Sequence, residues 1–140
     1  MTSTPWSQEK NQQLSTFMKE WQQRMGQSYL GTYDGHIANQ YGFKFPEAIK
    51  NGDIKGKVLL NDQKVDLTWS TDGNNGSSYQ IVAAATTEKI KIMGMITYLF
   101  AIHNGKPEVY YTKTNNGGIL YFYNTENQEL QIGFSKIVNQ

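Results

Sequence analysis

The chain has 140 residues, enough for one hydrophobic core, so residues 1–140 are predicted to form a single globular domain. Hydrophobic residues make up 38% and charged residues 18%, a balance that excludes a disordered chain. The 13 basic and 12 acidic residues nearly cancel and Arg24 is the single arginine, which argues against a nucleic-acid partner.

The N-terminal segment predicts an amphipathic helix. Residues 1–5 show neither the basic nor the apolar region of a signal peptide, so none is predicted in the chain as given. Thr4 and Pro5 are typical of a helix start, and the end is expected between Gly26 and Gly31. Apolar side chains recur there at spacings of three and four, the pattern of a helix that docks on a sheet. They are Leu14, Phe17, Met18, Trp21, Met25 and Tyr29.

The segment after the helix is irregular. Residues 33–36 predict a turn, residues 43–45 a short extended piece and residues 46–50 one turn of helix. Residues 58–60 and 65–69 have the composition of strands and flank a polar stretch, so they are predicted to form a hairpin.

Two long apolar runs, residues 79–86 and 90–102, predict central strands that are covered on both faces. Neither is close to the roughly 20 apolar residues of a membrane-spanning helix, so no transmembrane segment is predicted. Asn104 and Gly105 both tolerate positive φ and predict a tight turn into an antiparallel strand at residues 108–114.

The last third is predicted to add a turn at residues 115–118, a strand at residues 119–123 and a helix. Asn127 is placed to cap this helix, whereas Gly133 weakens its pattern. Its apolar positions are Leu130, Phe134, Ile137 and Val138.

The order of one helix, several strands and a second helix predicts an α+β fold. The N-terminal amphipathic helix is expected to pack on an antiparallel sheet of about five to seven strands, with a short C-terminal helix. No heptad pattern or internal repeat is present, and a monomer is expected.

Residues suited to catalysis are few. Cysteine is absent, which excludes thiolate nucleophiles and sulfur-ligated metals. The two histidines are His36 and His103, and each is interpreted as an ordinary surface or structural residue. Asp34 lies two residues before His36, but no further metal ligands accompany this pair. No metal site, cofactor or catalytic residue is therefore predicted.

Tyrosines are the remaining feature, since there are nine of them. Tyr121 and Tyr123 point to the same face of a predicted strand, opposite Phe122, and Tyr110 is expected near them. Together they could form a flat aromatic surface for a carbohydrate or a peptide. Cross-strand tyrosine pairs also stabilise solvent-facing sheets without any ligand, and this alternative remains open.

Two parts of the chain resemble an uncharacterised domain family of lactobacilli and related Gram-positive bacteria. The first contains Trp6-Ser7-Gln8-Glu9-Lys10 and Met25-Gly26-Gln27-Ser28-Tyr29, and the second contains Tyr98-Leu99-Phe100-Ala101-Ile102 and Gly133-Phe134. Members are often secreted proteins or lipoproteins with no established activity. The resemblance implies an extracellular or cell-surface location, although the chain as given has no export signal and no lipidation cysteine.

The sequence favours a non-enzymatic binding or interaction module, with a cell-wall glycan or peptide as a possible ligand. One alternative is a small envelope hydrolase that uses Asp34 with His36. The other is a purely structural protein of the envelope.

Overall fold

A computed structural model describes residues 4–88, 95–113 and 118–140. Helices lie at both ends of the chain, and strands lie between them. In chain order the elements are α1 (Gln8–Met25), β1 (Tyr29–Gly31), a 3-10 turn (Thr32–Asp34), β2 (Ala38–Gln40), β3 (Phe43–Phe45), α2 (Glu47–Lys50), β4 (Val58–Leu60), β5 (Gln63–Lys64), β6 (Thr68–Trp69), β7 (Tyr79–Thr87), β8 (Thr97–His103), β9 (Lys106–Thr112), β10 (Leu120–Asn124) and α3 (Gln128–Val138). The predicted α+β class is confirmed.

The main sheet has eight strands, in the order β1-β7-β8-β9-β10-β4-β5, with β6 also paired to β7. Most neighbours are antiparallel, but β10 pairs with β4 and β6 with β7 in parallel. The sheet is therefore mixed, and larger by one strand than the upper end of the predicted range. β2 and β3 form a separate two-stranded hairpin.

Two hydrophobic cores lie on the two faces of this sheet. The helix-side core contains Trp6, Trp21 and Phe100 together with the apolar face of α3. The opposite core contains Phe45, Ile81 and side chains of β2, β3 and α2. Because both faces are covered, β7 and β8 are buried along nearly their whole length, as their apolar runs predict.

α1 begins at Gln8 rather than near Pro5. Ser7 is the N-cap, and its Oγ accepts a hydrogen bond from the backbone N–H of Lys10 at 3.2 Å. The Thr4 hydroxyl instead donates to the carbonyl oxygen of Trp6, so Thr4 does not cap the helix. The helix ends at Gly26 in the left-handed conformation (φ 65°), and Tyr29 belongs to β1 and not to the helix.

Lys10 ties the two ends of the described chain together. Its ammonium group donates hydrogen bonds to the carbonyl oxygens of Thr4 (3.1 Å), Pro5 (3.1 Å) and Val138 (2.8 Å). Val138 is the last residue of α3, where carbonyl groups lack helical partners and attract positive charge. Desolvation of this buried side chain lowers the pKa of Lys10.

α3 packs against α1 with Gly133 directly below the ring of Phe17. Asn127 caps α3 as predicted, accepting a hydrogen bond from the N–H of Leu130 at 3.0 Å. A Cβ atom at Gly133 would lie 2.3 Å from ring atoms of Phe17. Glycine at position 133 weakens the helical sequence pattern. The structure gives a reason for it, since the ring of Phe17 occupies the space that a larger side chain would need.

The hairpin predicted from residues 58–60 and 65–69 is wrong in its second strand. β4 pairs with Gln63–Lys64, whereas Trp69 lies in β6 beside β7. A tight turn at Asn61 and Asp62, both with positive φ, brings the chain back sooner than predicted.

The turn at Asn104 and Gly105 is confirmed, with φ of 49° and 82°, and it joins β8 to β9. The turn at residues 33–36 and the helical turn at residues 46–50 are also confirmed. The turn predicted at residues 115–118 and the start of the run at residues 90–102 fall partly outside the described residues. Within the described ranges, no helix combines the length and the hydropathy needed to cross a bilayer.

Candidate functional site

A row of tyrosines crosses the helix side of the sheet. In the registers of β8, β9 and β10, Tyr98 lies opposite Tyr111, and Tyr111 lies opposite Tyr123. Tyr98 is 9% exposed and Tyr123 is 37% exposed. The row therefore begins beneath the helices and ends in solvent.

The exposed end of this row is named here the outer aromatic face, and it consists of Tyr111, Tyr121 and Tyr123. The rings of Tyr111 and Tyr123 are 6.3 Å apart at an interplanar angle of 47°. Tyr121 precedes Tyr123 by two residues on β10, so both side chains point to the same side. The ammonium group of Lys113 lies 5.8 Å from the centre of the Tyr111 ring.

Tyr110 does not belong to this face, and its predicted position beside Tyr121 and Tyr123 is wrong. Its side chain is fully buried in the core on the other side of the sheet, together with Phe122. Successive residues of a strand point to opposite sides, and the register places Tyr111 opposite Tyr123. Tyr111 therefore replaces Tyr110 in the candidate site.

The β4–β5 turn forms one border of the outer aromatic face. The hydroxyl of Tyr123 donates a hydrogen bond to Asp62 Oδ1 at 2.9 Å, and this bond is the main cause of the raised pKa of Tyr123. The backbone N–H of Asn61 donates to the carbonyl oxygen of Phe122 at 2.9 Å, and its side chain donates to Asn124 Oδ1 at 2.8 Å. These bonds hold the Asp62 carboxylate beside the ring of Tyr123.

The outer aromatic face combines ring surfaces with two charged groups, Asp62 and Lys113. An aromatic ring attracts the C–H groups of a ligand, a carboxylate accepts hydrogen bonds from hydroxyls, and an ammonium group donates hydrogen bonds to them. The sequence interpretation missed Tyr111, Lys113 and Asp62. Alternation along β9 groups the first two, but only the register of β9, β10 and β4 brings them to Tyr123.

Asp34 and His36 are not joined into a site. Both side chains are exposed, and no hydrogen bond or ion pair between them is present. Asp34 Oδ1 accepts a hydrogen bond from the hydroxyl of Ser15 at 2.5 Å, which links the 3-10 turn to α1. The geometry gives Asp34 a structural partner rather than a catalytic one.

His103 has a carboxylate partner that the sequence did not indicate. Its Nδ1 lies 3.2 Å from Glu108 Oε1, and the same oxygen accepts a hydrogen bond from the hydroxyl of Tyr110 at 2.5 Å. The ring of Tyr79 stacks on the imidazole with centroids 4.1 Å apart. Burial, followed by the bond to Glu108, raises the pKa of Tyr110. This cluster lies next to the β8–β9 turn, at the end of the core opposite the helices.

Among the side chains in residues 4–88, 95–113 and 118–140, no group of three His, Asp or Glu residues is placed to hold a metal ion.

Comparison with known proteins identifies one family. Residues 3–138 match the family described as Domain of unknown function (DUF4767), so the match covers nearly the whole chain. No match was found among curated proteins or among solved structures.

Proposed function

The chain belongs to the DUF4767 family, whose function is unknown, and we propose that it is a non-enzymatic binding module for a glycan. The observation that supports this proposal is the outer aromatic face, where three tyrosines lie on adjacent strands and one of them, Tyr123, is hydrogen-bonded to the carboxylate of Asp62. The sugar rings of the ligand stack on the tyrosines, and their hydroxyls bind the polar border.

A glycan suits the chemistry of this face better than a peptide does. A pyranose ring offers flat C–H surfaces for the aromatic rings and hydroxyls for the groups around them. Asp62 accepts hydrogen bonds from hydroxyls, and the backbone bond of Asn61 to Phe122 fixes the turn that carries it. A peptide that binds by strand addition needs a free strand edge, but β10 has strands on both sides.

The charge of the chain supports a neutral ligand. The formal net charge is +1, so no strong field favours a polyanion. Lys113 and Asp62 place opposite charges on the outer aromatic face. An uncharged hydroxylated ligand contacts both groups without placing a like charge beside either one.

The alternative of a hydrolase has less support. It needs Asp34 and His36 to act together, yet the carboxylate of Asp34 is hydrogen-bonded to Ser15 and both side chains are exposed. General acid–base catalysis requires groups within hydrogen-bond reach of the same substrate atom.

We place this module outside the cell, with the glycan of a Gram-positive cell wall as its ligand. The support is the resemblance of the N-terminal and C-terminal segments to a family of secreted proteins and lipoproteins. Fractionation of the source bacterium, with an antibody against the chain, is expected to find it in the wall or the medium. Recovery from the cytosol alone would contradict this location.

Titration of the isotope-labelled chain with soluble cell-wall glycan fragments, followed by NMR, tests the ligand. Amide shifts are expected at Tyr111, Tyr121 and Tyr123, and Tyr121→Ala is expected to weaken binding about tenfold or more. Tyr41→Ala is the matched control, because Tyr41 is an exposed tyrosine in the distant β2–β3 turn.

Shifts that appear equally in the Tyr121→Ala variant would contradict the proposal. A complete lack of response to glycans, combined with loss of wall integrity in cells from which the gene for this chain is deleted, would favour the structural role instead.

A further inference from the structure

A second candidate site lies on the other side of the molecule, beside α2. A cavity of about 340 Å³ opens there between β3, α2 and the turn that follows α2. Its volume is within the range of small-molecule pockets. The side chains that define its chemistry are Phe43, Lys44, Glu47, Asn51, Asp53 and Lys57.

The cavity is lined by charges of both signs that do not neutralise one another. Lys44 and Lys57 contribute ammonium groups, and Glu47 and Asp53 contribute carboxylates. In the part of the chain that the structure describes, none of these four groups forms an ion pair. Two cations and two anions, all on exposed residues, thus line one space without an ion pair among them.

One wall of the cavity is aromatic. The ammonium group of Lys57 lies 5.7 Å from the centre of the Phe43 ring, so this ring is next to one of the cations. The other wall is ordered by Asn51, whose Oδ1 accepts a hydrogen bond from the backbone N–H of Asp53 at 2.9 Å. This bond fixes the backbone of the turn that carries the Asp53 carboxylate.

We propose that this cavity binds a small zwitterion, an α-amino acid or a short peptide with both ends free. The ammonium group of the ligand lies against Glu47 and Asp53, its carboxylate against Lys44 and Lys57, and its apolar part on Phe43. The site is separate from the outer aromatic face and does not depend on the glycan proposal.

The arrangement of charges selects a zwitterion over ligands of one sign. An anion would gain from the two lysines but would lie close to two carboxylates, and a cation would meet the reverse problem. A neutral ligand could form hydrogen bonds with these four groups but would bring no opposite charge to any of them. Only a ligand that carries both charges matches each group with an opposite one.

The test is an NMR titration of the intact chain with L-phenylalanine and with the dipeptide alanyl-phenylalanine at millimolar concentration. Saturable shifts are expected at the amides of Phe43, Asn51 and Asp53 with at least one of the two probes. The probe that binds more tightly shows whether the ligand is a free amino acid or a peptide. No shift with either probe would overturn the proposal.

Removing one charge at a time from the ligand and from the protein provides the controls. Phenylalanine methyl ester and N-acetylphenylalanine are each expected to bind about tenfold more weakly or worse. Lys57→Gln and Glu47→Gln are expected to have the same effect. Lys50→Gln changes an exposed lysine of α2 outside the cavity and is expected to leave binding unchanged.

Equal binding of the ester, the N-acetyl derivative and the free amino acid would overturn the assignment of a zwitterion. The glycan titration is read at Tyr111, Tyr121 and Tyr123, on another surface, so failure of either experiment does not affect the other.

Discussion

Four buried tyrosines are expected to make this chain less stable at alkaline pH. Burial is the largest cause of the raised pKa of Tyr29, Tyr33, Tyr98 and Tyr110. Above pH ~10 the unfolded chain releases these protons while the folded chain keeps them. The stabilisation is therefore complete below pH ~10 and is lost as the pH rises further, by about 1.4 kcal/mol per unit for each tyrosine.

Spectrophotometric titration of the nine tyrosines, with circular dichroism recorded in parallel, measures this effect. Tyr29, Tyr33, Tyr98 and Tyr110 are expected to ionise only together with unfolding. Ionisation of these four tyrosines on a chain that is still folded would contradict this result.

Lys10 is expected to contribute to stability through its three carbonyl partners. Lys10→Met leaves those carbonyl oxygens, including that of Val138, without their donor, at a cost of about 1.5–3 kcal/mol. Lys19→Met, at an exposed position of the same helix, is expected to change stability by less than ~0.5 kcal/mol. Urea unfolding of both variants measures the difference, and equal stabilities would show that the contacts of Lys10 have no net effect.

The placement of Tyr110 and Tyr111 shows how far residue-level prediction reaches. Alternation along one strand correctly put Tyr121 and Tyr123 on the same side. It could not decide which of two consecutive tyrosines on β9 faces them, because a shift of one residue in register reverses every side chain. The face of the β10 tyrosines was therefore predicted correctly, and the face of the β9 tyrosine Tyr110 was wrong.

At the scale of secondary-structure elements, the contact between α1 and α3 depends on the missing side chain of Gly133. Gly133→Ala raises helix propensity by ~1 kcal/mol, but its new methyl group overlaps the ring of Phe17. The overlap is expected to outweigh the gain and to destabilise the chain by about 1–3 kcal/mol.

A double-mutant cycle isolates this contact. In a Phe17→Leu background the methyl group of Gly133→Ala has more room, so the same substitution is expected to cost less or to stabilise the chain. Thermal unfolding of the four variants measures the coupling. Additive effects would show that α1 and α3 are not in contact at this point.

Elements defined by local signals were predicted well. Both long helices and the Asn104–Gly105 hairpin follow from caps, periodicity and turn residues close together in the chain. The parallel pairs β10–β4 and β6–β7 were missed, because they join segments that carry no mark of their distant partners. The border of the site at Asp62 depends on the first of these pairs.

At the scale of the whole molecule, α1 and α3 are expected to exchange amide hydrogens as one unit. They run antiparallel, since Lys10 contacts the end of α3 and Arg24 pairs with Glu129 near its start. Their apolar faces share one core with β8 and β9. Native-state hydrogen exchange measured by NMR should therefore give similar opening free energies for Trp21 and Phe134. Fast exchange throughout α1 with α3 still protected would contradict the shared core.

The parallel pairing of β4 with β10 also has a consequence for synthesis. β4 leaves the ribosome long before β10, and until residues 120–124 emerge it has no neighbour on that side. A nascent chain that stops short of this point leaves the Lys57 carbonyl and the Asn61 N–H beside the apolar strand β4 without their β10 partners. A chaperone that recognises apolar segments would thus meet β4 during translation, and β10 would displace it.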